Sequence, residues 1–171
     1  MPQSSGVSDA RHHDSRYRAP GSIDGKTIVL KSIHPLLGPD LLFTLASMGH
    51  GDEIAVVDAN FPATSMARRL VGVRGVETAE MVEAILSLLP LDQTLPCPVS
   101  IMRAAEGIDV ATTAVGIIRA TLDRTTGGVG VAELERFEFY ERARKAFAIV
   151  STGERRLYGN VLLIAGALAS E

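Results

Sequence analysis

Two segments of the 171-residue chain concentrate groups that can move protons or hold a polar ligand. The first runs Met48-Gly49-His50-Gly51-Asp52-Glu53 and, after a short apolar stretch, continues as Asp58-Ala59-Asn60-Phe61-Pro62-Ala63. An imidazole titrates near neutrality, so His50 can take up and return a proton, while Asp52 or Asp58 could orient one of its ring nitrogens. The flanking glycines let the backbone hold that ring at the surface of a cleft. The competing reading is a tight turn whose polar residues face water.

The second segment is Arg136-Phe137-Glu138-Phe139-Tyr140-Glu141-Arg142-Ala143, joined downstream by Tyr158-Gly159-Asn160. Arg136 offers a planar fork of donors, Tyr158 a phenol that donates and accepts, and Asn160 both polarities. That mixture suits a neutral polyol. Glu138 with Arg142, and Glu141 with Lys145, also have the spacing of ion pairs on a solvated helix, so the two readings fit different faces of one element.

Such groups need a scaffold, and the chain alternates short apolar runs with helical patterns, which reads as an α/β fold. Helical spacing of Leu41, Leu42, Leu45 and Met48 predicts a helix over 39–48, begun by Pro39 and ended at Gly49. Ile54-Ala55-Val56-Val57 reads as a strand buried on both faces, which puts Asp58 at a strand's carboxyl end, where ligands bind in open α/β sheets. A helix over 78–89 stopped by Pro90, a strand over 99–102, and a helix over 110–122 followed by a loop over 125–130 come next. The last third predicts a helix over 136–145 and strands over 146–150 and 161–165.

Composition limits the rest. With 46% apolar residues the chain can form one core, and 17 basic against 20 acidic residues leave no positive field for nucleic acid. Cys97 is the only cysteine, so an internal disulfide is excluded and a reducing, cytoplasmic setting is expected. No apolar run reaches the roughly 20 residues of a membrane span. Tryptophan is absent and aromatics make up 5%, which argues against a ligand platform of exposed indoles. Residues 1–27 carry scattered charges, Ser, Gly and Pro without an apolar block and read as a flexible tail, the single domain occupying 28–171. The His12-His13 pair in that tail reads as polar chain rather than a metal site, and His34 before Pro35 as a loop residue. Gly127-Gly128-Val129-Gly130 lacks the spacing of a dinucleotide loop.

The ordered motifs Met48–Ile54, Asp58–Ala63, Arg136–Ala143, Lys145–Val150, Thr152–Arg155 and Tyr158–Asn160 together resemble the ribose pyranase and fucose mutarotase family, over about residues 29–166. The Arg-Phe-x-Phe-Tyr-Glu-Arg-Ala segment resembles the fucose branch; the ribose branch usually has a histidine near Arg136. The resemblance implies a three-layer α/β/α fold with a largely parallel sheet. It also implies a cofactor-free, metal-free site for a monosaccharide, and a homo-oligomeric ring, often a decamer, with sites between subunits. Carried over by position, His50 matches the catalytic histidine, Asp58 a sugar-binding carboxylate, Arg136 the branch-specific contact, and Tyr158, Gly159 and Asn160 the last binding segment. Asp52 lies in the histidine's motif, and Tyr158 is a possible second catalytic group. The expected activity is anomer interconversion by a mutarotase, with ribose pyranase and a non-catalytic sugar-binding or transport-accessory protein as alternatives. The 27-residue tail and His34 depart from the family pattern.

Overall fold

A strand that is apolar at every position must be covered on both faces, and Ile54–Val57 meets this demand at the centre of the molecule. The computed structural model describes residues 30–168; the expectations for the tail over 1–27, the His12-His13 pair among them, lie outside the described residues. In chain order the elements are α1 (Pro39–Ala46), β1 (Glu53–Val57), α2 (Ala63–Met66), β2 (Leu70–Gly72), α3 (Thr78–Leu86) and β3 (Val99–Met102). They are followed by α4 (Val115–Thr126), β4 (Val131–Leu134), α5 (Arg136–Lys145), β5 (Ala148–Ser151) and β6 (Val161–Ile164).

Ile54 and Val56 of β1 enter one core with Leu41 of α1, Met81 and Ile85 of α3, and Ile118 and Leu122 of α4. Ala55 and Val57 enter a second core with Ala63 of α2, Phe139 and Ala143 of α5, and Leu162 of β6. Helices thus cover both sheet faces, giving the three layers expected.

The sheet order is β2-β5-β1-β6-β3-β4. Pairing is parallel for β2 with β5, β5 with β1, and β3 with β4, whereas β6 runs antiparallel to both β1 and β3. A parallel neighbour of β1 would need a crossover of a dozen or more residues. The short helix-free link from Ser151 to Val161 instead returns the chain at the edge it has just reached.

Several element boundaries differ from the periodicity. The helix expected to reach Leu89 ends at Leu86; the amides of Leu88 and Leu89 both bond Ile85 O as the chain tightens ahead of Pro90. The helix expected over 110–122 is split: Val110–Thr112 form a 3-10 turn, Thr113 is extended, and α4 continues to Thr126. Gly127, at φ 71°, then closes α4 in the left-handed conformation, so this glycine-rich run is a helix terminus. β2 and β4, which the sequence pattern does not single out, have three and four residues and only partly buried faces. His34 does serve its loop, its Nδ1 accepting the Leu36 amide at 3.3 Å.

Leu162 is fully buried on the strand that joins the two halves of the sheet. Leu162→Ala is expected to cost about 2–5 kcal/mol of unfolding free energy, through lost burial and the cavity left behind, as measured by urea denaturation.

Candidate active site

The reversed direction of β6 decides which residues meet. Asp58, Arg103 and Arg136 lie just beyond the carboxyl ends of β1, β3 and β4, and Tyr158-Gly159-Asn160 lead into the amino end of β6, which opens onto that same edge. Asp58 is 4% exposed there. Its Oδ1 accepts the Asn60 amide at 2.9 Å; its Oδ2 accepts the Gly159 amide at 3.1 Å and Asn160 Nδ2 at 2.8 Å. Asn160 Oδ1 in turn accepts the Asp58 amide at 3.1 Å. Asn160 is buried and spends both ends of its amide on Asp58. Burial pushes the Asp58 carboxyl above its ordinary value, against the opposing pull of the hydrogen bonds from Asn60, Asn160 and Gly159.

At this edge lies a 560 Å³ pocket lined by Arg103, Ala104, Ala105, Glu106, Glu135, Arg136 and Tyr158; Asp58, Gly159 and Asn160, expected to bind the ligand, are not in its lining. Glu135 caps α5, its carboxylate accepting the Phe137 amide at 2.7 Å. Arg136, the first residue of that helix, lies with its guanidinium 4.7 Å from the Phe137 ring centroid. Tyr158 adopts φ 61°, a left-handed conformation that non-glycine residues hold only where their surroundings impose it, and it packs against both cores. Two guanidinium and two carboxylate groups leave the lining formally neutral. Sequence reasoning missed Arg103, Glu106 and Glu135. The position of Arg103 directly after a recognised strand was a usable signal, but only the pairing of β3 with β4 brings it into one pocket with Arg136.

His50 and Asp52 lie at the other end of β1. From Asp52 to Asp58 the strand covers about 20 Å at ~3.3 Å per residue, so one copy of the chain cannot bring His50 and Tyr158 to the same small molecule. The expected orienting carboxylates also need correction. Asp52 Oδ2 accepts the Gly49 amide at 2.8 Å and stabilises the turn, and Asp58 is at the opposite edge. The partner of His50 is Asp92, with Nε2 and Oδ2 3.1 Å apart. Asp92 is held by the Thr94 amide at 2.9 Å and hydroxyl at 2.7 Å, and these bonds, with a smaller contribution from His50, keep its carboxyl below the ordinary value. No motif announced Asp92, which follows Pro90-Leu91 far along the chain from His50. Beside the imidazole is a 410 Å³ apolar groove that includes Leu42, Leu45, Met48, Leu88 and Ala165.

A family model described as the RbsD / FucU transport protein family matches residues 31–168. The chain belongs to this family. Among its relatives, the fucose mutarotase of Homo sapiens is 43% identical over 151 residues, covering 83% of this chain and 96% of that protein. The crystal structure of the fucose mutarotase from Streptococcus pneumoniae in complex with L-fucose matches with a TM-score of 0.76 at 39% identity, covering 82% of this chain and all of that one. Bacillus subtilis RbsD complexed with D-ribose shares the fold, at a TM-score of 0.64 and 21% identity, over 80% of this chain and 98% of that one.

Within this RbsD / FucU scaffold, Gly159 is the tightest point of the candidate site. A Cβ there would lie 2.7 Å from Glu154 Cγ and 3.2 Å from both Asp58 Cβ and Thr78 Oγ1. Gly159→Ala is expected to destabilise the fold by about 1–3 kcal/mol through overpacking, seen as a lower urea midpoint, and to weaken sugar binding measured by calorimetry.

Proposed function

We propose that the protein is a mutarotase that interconverts the α and β anomers of L-fucose, working as a ring-shaped homo-oligomer in the cytoplasm. The observation that carries this reading is the division of complementary chemistry between two edges of one sheet: a proton-transfer pair, His50 with Asp92, and a polar pocket around Arg136 and Tyr158. Arg136 stands where the fucose branch has its arginine, and the two fucose mutarotases cover most of the chain at 43% and 39% identity.

Mutarotation begins when the anomeric hydroxyl loses its proton while the ring oxygen gains one and the C1–O5 bond breaks, releasing the open-chain aldehyde. Rotation about C1–C2 and the reverse transfers close the ring on the other carbonyl face. These are proton transfers, typically accelerated by about 10²- to 10⁴-fold by positioned acid and base groups. On opening, His50, oriented by Asp92, takes the anomeric proton as base while the Tyr158 phenol donates to the ring oxygen; on closure the resulting phenolate takes the proton back and His50 returns its own to the carbonyl oxygen. Arg136 and Arg103, both in the pocket lining, hold ring hydroxyls.

The two half-sites close when the His50 edge of one copy meets the Tyr158 edge of the next. Exposed Leu88 in the His50 groove, and exposed Phe137 and Leu157, next in the chain to Arg136 and Tyr158, supply apolar surface for such a contact. Because the two patches differ, the contact is head-to-tail and closes into a ring, a decamer in this reading.

Saturation-transfer NMR on equilibrated L-fucose tests the activity: the protein is expected to transfer saturation between anomers, and binding without exchange would mark a non-catalytic sugar-binding protein. Exchange confined to the ring sizes of D-ribose would instead mark a pyranase. His50→Ala and Tyr158→Phe are each expected to lower the anomer exchange rate by about 10²-fold or more. Co-assembled one to one, the two variants should recover about a quarter of wild-type activity, because one site in four then joins two intact halves; no recovery would place both groups on one subunit.

Since burial raises the Asp58 carboxyl, protonation on acidification begins at a higher pH than for an ordinary aspartate. L-Fucose affinity measured by titration calorimetry is expected to fall with it, and Asp58→Asn should remove that acid limb.

A further inference from the structure

Behind the pocket, outside its lining, is a carboxylate with no part in the chemistry above. Glu154 is 2% exposed and enclosed by Arg156: its Oε1 accepts the Arg156 amide at 2.8 Å and Nε at 2.9 Å, and its Oε2 accepts Nη2 at 2.7 Å. Arg156 Nη2 also lies 2.7 Å from Oε2 of Glu77, the residue that precedes α3. Burial acts to raise the Glu154 carboxyl, but the hydrogen bonds and charge of Arg156 prevail and hold it below its ordinary value. It is therefore an ionised group kept inside the protein by a two-pronged partner. Burying a pair of charges is a poor way to gain stability, because desolvation offsets most of their attraction. Its position suggests a different use.

Glu154 is packed under the very residues that shape the pocket. Its backbone carbonyl accepts the Ala59 amide at 2.8 Å, tying it to the turn that carries Asp58. Its Cγ occupies the space next to Gly159 where a Cβ would otherwise project. On the far side of Gly159, the Thr78 hydroxyl donates to the Gly159 carbonyl at 2.9 Å, while the Gly159 amide donates to Asp58. Gly159 is thus held at its amide by Asp58 and at its carbonyl by Thr78, with Glu154 packed against it, and Tyr158 beside it adopts φ 61°. Arg156 reaches this cluster from two residues before Tyr158, and Glu77 and Thr78 join it from the start of α3.

We propose that the Glu154–Arg156 pair is a positioning clasp, which fixes Tyr158 in its left-handed conformation and the Gly159 amide on Asp58, so that the pocket meets the sugar already arranged. This rests on the mutarotase reading for its consequence in turnover. A clasp of this kind acts as a unit: removing either partner loosens the Tyr158–Asn160 segment, and removing the second adds nothing further. Neither partner lines the pocket, so the loss is transmitted through Tyr158 and falls on turnover and binding together.

The test compares Glu154→Gln, Arg156→Met and the double variant in the full chain. Michaelis parameters come from L-fucose anomer exchange followed by NMR, alongside hydrogen exchange of individual backbone amides. Glu154→Gln is expected to lower kcat/KM by about tenfold, and to speed exchange at the Gly159 and Asn160 amides while those of β1 and β5 keep their protection. Arg156→Met strands the buried carboxylate and should be the worse single variant; the double variant, whose interior is again uncharged, should do no worse than Arg156→Met. Unchanged kcat/KM in Glu154→Gln, losses that add in the double variant, or loosening spread evenly over the sheet would each overturn the clasp. If Arg156→Met does not fold, Glu154→Gln and the double variant still decide the matter. An inactive wild-type protein would overturn the mutarotase reading alone, because the amide-exchange measurement tests the clasp without turnover.

Discussion

The direction of one strand organises this molecule. β6 lies between β1 and β3 and runs against both. Its amino end therefore opens at the carboxyl edge of the parallel strands and delivers Tyr158, Gly159 and Asn160 to Asp58. Its carboxyl end emerges at the opposite edge, where Ala165 exchanges backbone hydrogen bonds with the His50 turn: the Gly51 amide donates to Ala165 O at 2.8 Å, and the Ala165 amide to Asp52 O at 2.9 Å. The Asp92 amide donates to Ile164 O at 3.1 Å, which seats the partner of His50 on the same strand end. Had β6 been parallel, neither edge would carry this set of groups.

Dividing the chemistry in this way has an energetic logic. The carboxyl edge holds buried charge that must be satisfied from within: Asp58 by two backbone amides and Asn160, and Glu154 by Arg156. Those bonds make the edge rigid at the cost of leaving its acids already committed. The other edge keeps an imidazole that is more than half exposed and has one carboxylate, Asp92, as its partner. A buried, fully bonded cluster and an exposed imidazole make conflicting demands on solvation, and separate edges meet both.

How far the sequence could be read follows from the range of the interactions involved. The central strand, α1, α3 and α5 were legible because burial writes itself into local spacing: Ile54–Val57 is continuous where both faces are covered, and the stripe in 78–86 repeats at helical intervals. Asp58 was placed at a strand end for the same reason. β2, β4 and the break at Thr113 were not legible, since a strand of three or four half-buried residues carries too little pattern to separate it from loop. Asp92, Arg103 and the Glu154 clasp were missed because each takes its meaning from a partner on another element.

The sequence by itself determined the α/β class, the covered central strand, and the residue types His50, Asp58, Arg136 and Tyr158 with their order along the chain. Only the tertiary structure decided that His50 pairs with Asp92, that Asn160 serves Asp58, and that the two sets of groups lie about 20 Å apart along β1. The reason is geometric. Local periodicity records which face of an element is buried, but strand order and direction are settled by which surfaces pack together. The reversal of β6 depends on a link too short to cross the sheet, and its consequences fall on residues far from it in the chain.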